Sequence, residues 1–489
     1  MGIVLRQSLS NTVITYLGFG IAAVNTLFLY TRFLTDEYYG LVTVILSTSA
    51  ILMPLMAFGV PNTLVKYYST FSDGQNSDGF LSLMLFLPLL LILPLAAISF
   101  FAYDAIGNFL SRENAIVREH VWYIFLIGMA MAYFEIFYAW AKVQMKSVFG
   151  NFMKEVFNRV MIMILLILVH FEFITVPDFL KALVALYLLR TILMKVYAFR
   201  LRMPKLTFNL PLNTKNIIDY SALIILGGSA AIIILEIDKF MINQFVRIEN
   251  VAYYGVAVYI ATTIIVPSRS MHQITYPITA ELLTKNDISG LKMLYQKSSL
   301  TLFIVSGLLF LLILLNLNDL FLLLPEEYRN GLIIVFFVGL AKVYDSVLGN
   351  NNSILYNSEY YRSLLVMGVL LAVLIIVFNF WLIPNYGIEG AAFGTFLAVC
   401  LYNTIKLLYV KSKFDIQPFT WATLKVLVLL LLMGLVFYFV QFPLHPIVNI
   451  LLKGILITAI YTGVLYRFKL SEDVSNLISR ILGKIPPKL

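Results

Sequence analysis

The sequence predicts an all-α polytopic membrane protein of about fourteen transmembrane helices, and three observations carry that prediction. Stretches of about 20 mostly apolar residues recur along the chain, each long enough to cross a bilayer core of roughly 30 Å. Hydrophobic residues fill 61% of the 489 positions and charged residues only 12%, against roughly 25% charged in soluble domains, so little is left over for a soluble domain. The runs are continuous rather than alternating. That favours helices over a barrel, because a helix satisfies its own backbone hydrogen bonds in lipid.

In chain order the candidate spans are about 8–32, 38–62, 79–102, 120–141, 150–170, 177–199, 217–245, 251–280, 298–316, 330–355, 363–382, 387–409, 420–440 and 447–466. The first run carries only Arg6 ahead of it. It is too long for the apolar region of a removable signal peptide, so it reads as the first span. The second opens on Tyr38-Tyr39-Gly40 and holds Pro54 and Pro61. After the sixth comes the longest basic linker, 201–216 with Pro204 and Pro211, which divides the first twelve spans into two six-helix lobes, 1–200 and 217–411. The eighth span echoes the second, opening on Tyr253-Tyr254-Gly255 and holding Pro267 and Pro277. Interrupted helices at matching positions in two halves point to a transporter whose site lies between the repeats. Spans thirteen and fourteen occupy 412–470. In the tail, 471–489, Ser471 can cap a helix with Glu472 and Asp473 in its first turn, while Val474, Leu477, Ile478, Ile481, Leu482 and Ile485 recur at helical spacing beside Arg480 and Lys484. An amphipathic helix on the inner membrane surface fits this pattern, and a frayed tail is the other reading.

With both termini in the cytoplasm, the inner segments hold 22 of the 35 Lys and Arg and the outer segments seven, with six inside spans. This is the positive-inside asymmetry. The net charge of +9 therefore needs no nucleic acid, since cytosolic loops beside anionic lipid account for it. Cys400 is the one cysteine, which excludes disulfides and thiolate metal sites within one chain. His120, His170, His272 and His445 are scattered, and no zinc-protease, Walker A or nucleophile-elbow motif occurs, so the chain does not read as an enzyme.

Ionisable residues inside spans are costly and by default functional candidates. Among the cations are Lys154, Arg159, Arg190, Lys239, Arg269 and Lys342, and among the acids Glu135, Glu155, Glu236, Asp238 and Asp345. Glu155 with Arg159, Glu236 with Lys239 and Lys342 with Asp345 lie at helical spacing and can pair on their own helices. Arg190 and Arg269 have no acid within four residues and stand near mid-membrane, which makes them the leading substrate contacts. A guanidinium offers a planar fork of donors to phosphate and keeps its charge when partly desolvated. The bland alternative for Arg190 is a cross-helix pair with Glu135. Lys66, at the inner end of span two, is either a receiver for an anionic headgroup or a snorkelling anchor. Most of the 29 Tyr fit an interfacial aromatic belt.

Several passages resemble the Wzx-type polysaccharide and O-antigen flippases of the multidrug/oligosaccharidyl-lipid/polysaccharide exporter superfamily. Phe33-Leu34-Thr35-Asp36-Glu37-Tyr38-Tyr39-Gly40 resembles that family's opening of span two, and Gly59-Val60-Pro61-Asn62 its end. Glu236-Ile237-Asp238-Lys239-Phe240-Met241-Ile242 is similar to its span-seven segment, and Pro325-Glu326-Glu327-Tyr328 to the approach to span ten. Ile383-Pro384-Asn385-Tyr386-Gly387-Ile388-Glu389-Gly390-Ala391-Ala392 resembles its opening of span twelve. The resemblance implies two pseudo-symmetric six-helix lobes around a central cavity, with two C-terminal helices outside. It also implies a bacterial inner-membrane flippase that passes undecaprenyl-diphosphate-linked oligosaccharide to the outer leaflet by alternating access, in company with polysaccharide assembly proteins. On that reading Arg269, Arg190, Lys342, Lys66 and Arg159 are the substrate-binding candidates. Asp238 with Asn379 and Thr395 would suit a sodium site like those of some superfamily members, with a proton as the other coupling ion. The competing readings are a multidrug exporter of the same superfamily and a polyprenol-dependent glycosyltransferase. The second is disfavoured by loops as short as 63–78 and 103–119.

Overall fold

The computed structural model describes residues 2–71, 77–207, 209–211 and 213–481, and all regular structure among them is helical. Among the described residues, eleven helical segments are long and apolar enough to cross a membrane: Ser10–Phe33, Asp36–Phe71, Ser77–Phe101, Ala115–Val143, Val176–Leu201, Glu249–Thr284, Ile288–Leu315, Glu326–Val347, Tyr361–Phe414, Trp421–Tyr438 and Pro446–Arg467. The protein is a multi-pass membrane protein. The sequence-based count of about fourteen differs from these eleven at three places. The fifth candidate span carries Lys154, Glu155 and Arg159 in a helix that passes through a π-turn at Met153–Phe157. The seventh is the helix Thr214–Phe245, of which the side chains at 226–231 lie outside the described residues. The eleventh and twelfth run together as Tyr361–Phe414, joined across a kink at Gly387.

The chain divides into two compact units, Met1–Gly255 and Val256–Leu489. In the first, the helix Val121–Val143 is the hub against which Asp36–Met56, Val60–Phe71 and Val176–Leu201 pack. Its Gly128, Ala130, Ala132, Ala139 and Ala141 make close approach possible. Gly128 meets the backbone of Ser49. Interhelical hydrogen bonds then tie the hub to its neighbours, Ser49 Oγ donating to Ile124 O at 2.9 Å and Thr191 Oγ1 to Ala130 O at 2.7 Å. Phe80, Phe134, Trp140 and Leu64 are fully enclosed at the centre of its core cluster. The basic segment after Leu201 is extended and strapped to the hub helix, Trp140 Nε1 donating to Arg202 O, and to the helix Ser77–Phe86, Ser82 Oγ donating to Lys205 O and Thr207 N–H to Ser82 Oγ.

The Asp36–Met56 helix starts at Thr35, whose hydroxyl accepts from Tyr38 N–H, with Asp36 and Glu37 favourable at its positive end. Pro54 lies near its end, and the chain breaks at Phe58 (φ 49°) and Gly59 (φ 66°) before the helix Val60–Phe71 begins with Pro61 in its first turn. The matching interruption in the second copy is a 3₁₀ turn, Thr263–Ile265, after which Val266–Thr284 starts with Pro267. Gly40 is not a turn residue, contrary to what its place near a loop suggests. It lies inside the helix, and a Cβ there would strike the carbonyl oxygen of Ile248. Gly255 correspondingly faces Thr43, so within the first unit the two Tyr-Tyr-Gly motifs mark one helix crossing, latched by Tyr253 OH donating to Asp36 Oδ2 at 2.7 Å.

In the second unit Ile288–Leu315 is central, packed by Val266–Thr284, Leu332–Val347 and Trp421–Tyr438. It starts at Asp287, whose carboxylate accepts from Gly290 N–H at 2.8 Å. That backbone bond, with help from Ser289, holds the carboxyl below its ordinary range. Gly307 lets Leu430 close on the helix, Tyr461 OH donates to Ile304 O, and Lys453 Nζ donates at 2.7 Å to Leu315 O at its negative end. In Tyr361–Phe414 the two arms fold back on each other: Gly390 meets the Leu382 backbone, and Gly394 lies against Asn379 and Phe378. Gly387 has φ 56° and ψ −138°, a region closed to side chains. Gly387→Ala is therefore expected to cost about 1–3 kcal/mol, read as a lower Tm of the purified protein in detergent. An unchanged Tm would show that the turn relaxes into a conformation open to any residue. The helix Glu472–Ile481 follows Ser471, which accepts from Val474 N–H. Leu482, Lys484 and Ile485 of the expected amphipathic tail lie outside the described residues.

Candidate functional site

The break at residues 57–59 opens one wall of a pocket of about 270 Å³ in the first unit. Pro54, Ala57, Gly59, Pro61 and Asn62 line that wall, Ile224 and Ile225 close another, and Glu135, Ala139, Lys142 and Lys154 form the polar side. The last group follows from helical spacing, since 135, 139 and 142 share one face of the hub helix. Lys154 arrives from the neighbouring helix and pairs with Glu135 at 2.5 Å. Lys142 rests on the Tyr138 ring at 3.8 Å. Behind this layer the buried Arg190 guanidinium stacks on Phe134 at 4.1 Å and Tyr187 at 4.8 Å. Its Nε has no hydrogen-bond partner among the described residues. Glu135 and Glu155 lie within its electrostatic reach, but the ion pairs of these acids are with Lys154 and with Arg159 at 2.9 Å. Lys142, Lys154, Arg159 and Arg190 against two carboxylates leave two surplus positive charges. In a low-dielectric surrounding such a surplus attracts an anion much more strongly than it would in water.

The other predicted substrate contacts lie elsewhere. Arg269 is exposed near the start of Val266–Thr284 and makes no ion pair or hydrogen bond among the described residues. Lys66 is exposed on Val60–Phe71, with its ammonium 3.6 Å from the Tyr220 ring centroid. Lys342 is half-buried on Leu332–Val347. Same-helix pairing holds for Glu155 with Arg159, and for Glu236 with Lys239 at 2.7 Å. Asp345 reaches across to Lys406 at 3.9 Å. Sequence reasoning missed Lys142, which lies just past the fourth candidate span and reads as a cytosolic anchor, and it passed over Lys406, which lies inside the twelfth candidate span, 387–409. The signal that was present for Lys142 is its seven-residue spacing from Glu135.

Of the proposed coupling-ion ligands, Asp238 is buried in the first unit and accepts from Tyr254 OH at 2.5 Å. Asn379 and Thr395 are both buried on Tyr361–Phe414 in the second. Among the described residues no three His, Cys, Asp or Glu side chains cluster as a metal site.

The sequence matches the family described as "Polysaccharide biosynthesis protein" over residues 4–283. No curated protein matches it. Among solved structures, the lipid II flippase MurJ in an inward closed conformation is similar with a TM-score of 0.72 at 14% identity, covering 96% of this chain and 100% of that one. An inward-facing MATE family multidrug resistance transporter of the MOP superfamily gives 0.60 at 14% identity, covering 83% and 94%. Its outward-facing counterpart gives 0.55 at 13% identity, covering 84% and 95%. These similarities identify the fold as the one MurJ and the MATE transporters share. With more than half its length matched, the chain belongs to the polysaccharide biosynthesis protein family.

Proposed function

We propose that the protein is a flippase that carries an undecaprenyl-diphosphate-linked oligosaccharide from the cytoplasmic to the outer leaflet by alternating access. The observation that carries this reading is the surplus of positive charge at the broken helix of the first unit, where exposed Lys142 and Lys154 line the pocket and Arg190 backs it. A diphosphate needs such a place, and its polyprenyl tail can stay in lipid. The fold shared with a protein named as a lipid II flippase supports the same substrate class. In this reading the chain crosses the membrane fourteen times as two six-helix lobes, 1–200 and 217–411, plus two further helices, with both termini cytoplasmic. Arg269 and Lys342 meet the headgroup during transit, Lys66 receives it, and Arg159 holds Glu155 away from it. Asp238, Asn379 and Thr395 remain the proposed coupling-ion ligands.

A deletion strain tests the reading. Cytosol-facing lipid-linked glycan is expected to accumulate and to clear when the wild-type gene returns. The Lys142→Ala/Lys154→Ala variant is expected to restore export about 10- to 100-fold less well, as for the loss of a charge-assisted phosphate contact of about 1.5–3 kcal/mol. Absence of accumulation would reject the function. Full export by a well-expressed double variant would reject the pocket.

A further inference from the structure

The charged pocket of the first unit contains its own competitor for an anionic ligand. Among the described residues that line it, Glu135 is the one acid, and three cations from three helices act on its carboxylate. Lys142 stands about two turns along the hub helix, Lys154 comes from the π-turn Met153–Phe157, and Arg190 comes from Val176–Leu201. The ion pair that Glu135 makes is with Lys154, at 2.5 Å. Arg190, 6% exposed, keeps its Nε without a hydrogen-bond partner among the described residues, although this carboxylate lies within its electrostatic reach. A buried donor left open is costly. A second position of the Glu135 side chain would close it.

From this arrangement we propose that Glu135 is a two-position counterion, which gives up Lys154 to an incoming diphosphate and turns to Arg190. The proposal rests on the flippase reading for the identity of the diphosphate lipid, and it adds the residue that sets how firmly the headgroup is held. In the empty pocket the carboxylate offers Lys154 the kind of oxygen that a phosphate would. The Lys154 side chain is 45% exposed and that of Glu135 18%, so the lysine is free to follow a ligand outward while the acid stays largely enclosed. The π-turn that carries Lys154 departs from regular helical bonding, a feature frequent where helices serve function. With Lys142 and Lys154 both taken by phosphate oxygens, Arg190 is the cation left to the carboxylate. Without it, Glu135 would become an unpaired buried charge, which is strongly unfavourable.

The consequence is a balance between capture and release. Four cations against two acids make a strong field in a low-dielectric surrounding, and a carrier that holds its cargo too firmly cannot let it go. Every anion that takes Lys154 must first displace Glu135, so part of the attraction is cancelled by the pair that is lost. On departure the carboxylate returns to Lys154 and takes the place of the leaving phosphate. The two positions of Glu135 thus differ in what they offer the ligand, and binding shifts the population between them.

Calorimetric titration of the full chain in lipid nanodiscs with inorganic pyrophosphate tests the switch without any transported lipid. Glu135→Gln removes the competing charge and keeps the shape, and its Kd is expected to be about 10- to 100-fold lower than that of the wild type. Glu135→Asp keeps the charge on a shorter side chain, which reaches Lys154 less well, and is expected to fall between the two. For either variant, an affinity equal to or below that of the wild type overturns the proposal. Infrared difference spectra on adding pyrophosphate are expected to show a carboxylate band that shifts in the wild type and is missing from Glu135→Gln. A spectrum that is the same in both overturns it too. In proteoliposomes with undecaprenyl-diphosphate-linked trisaccharide as probe, Glu135→Gln is expected to lower both KM and the maximal rate, a pairing that damage to the fold does not produce. If the wild type moves no probe while Glu135→Gln tightens pyrophosphate binding, the flippase reading fails and the counterion switch stands. If the wild type moves the probe and the variant binds pyrophosphate no more tightly, the switch fails and the flippase reading stands.

Discussion

Arg269→Ala is expected to lower glycan export about 10- to 100-fold while leaving insertion and thermal stability as in the wild type. The combination of effects is the point. Arg269 is exposed, and no carboxylate or hydrogen-bond acceptor among the described residues engages it, so its removal strands no buried partner and little folding energy is at stake. What the variant loses is a fork of donors that can hold two phosphate oxygens at once. Arg269→Lys keeps the charge but not the fork, and partial recovery is expected. Equal recovery by Lys would mean that only charge matters there. Normal export by a well-expressed Arg269→Ala protein would remove Arg269 from the substrate path. Arg190 allows no such clean test, because its guanidinium fills the space between Phe134 and Tyr187, so truncation removes packing together with charge. Export should be scored by surface glycan, and stability by the Tm of the purified protein.

Hydropathy places most of the candidate spans, because crossing a bilayer demands an unbroken apolar run whatever the tertiary packing, but the fifth and seventh are not among the eleven long apolar helices and the eleventh and twelfth run together. Proline and glycine marked the helix breaks: Pro61 begins the helix after Gly59, and Gly387 bends Tyr361–Phe414. Ion pairs along one helix were legible too, since a spacing of three or four residues fixes the geometry, as with Glu155–Arg159 and Glu236–Lys239. Pairs across helices were not. Lys154 finds Glu135 from 19 residues away and Lys406 finds Asp345 from 61, and no local pattern encodes which faces of two helices will meet. The same limit applies to the charged pocket. Composition gave the intramembrane cations and acids as nearly balanced, whereas folding gathers four cations around two acids in one unit.

Gly40 shows that limit in a form that one substitution can measure. Near a loop in the sequence, it reads as a residue that eases a turn. In the fold it sits within a regular helix at the closest approach to another chain segment, where an added methyl would meet the carbonyl oxygen of Ile248. Backbone cannot swing aside as a flexible side chain would, so the helix must move away from the turn that carries Ile248. Separation also pulls Tyr253 OH from Asp36, 2.7 Å away, a charge-assisted bond of about 1.5–3 kcal/mol. Overpacking itself costs about 1–3 kcal/mol. Gly40→Ala is therefore expected to lower the Tm clearly, and Gly40→Val to yield little folded protein by fluorescence-detected size-exclusion chromatography. Gly20 supplies the opposite case in the helix Gly2–Val24, since nothing lies within 4 Å of a Cβ built there. Gly20→Ala should leave stability unchanged or raise it by about 0.5–1 kcal/mol through helix propensity. Both substitutions add one methyl to a helical glycine. Equal Tm values for the two variants would show that the contact with Ile248 does not limit the packing here.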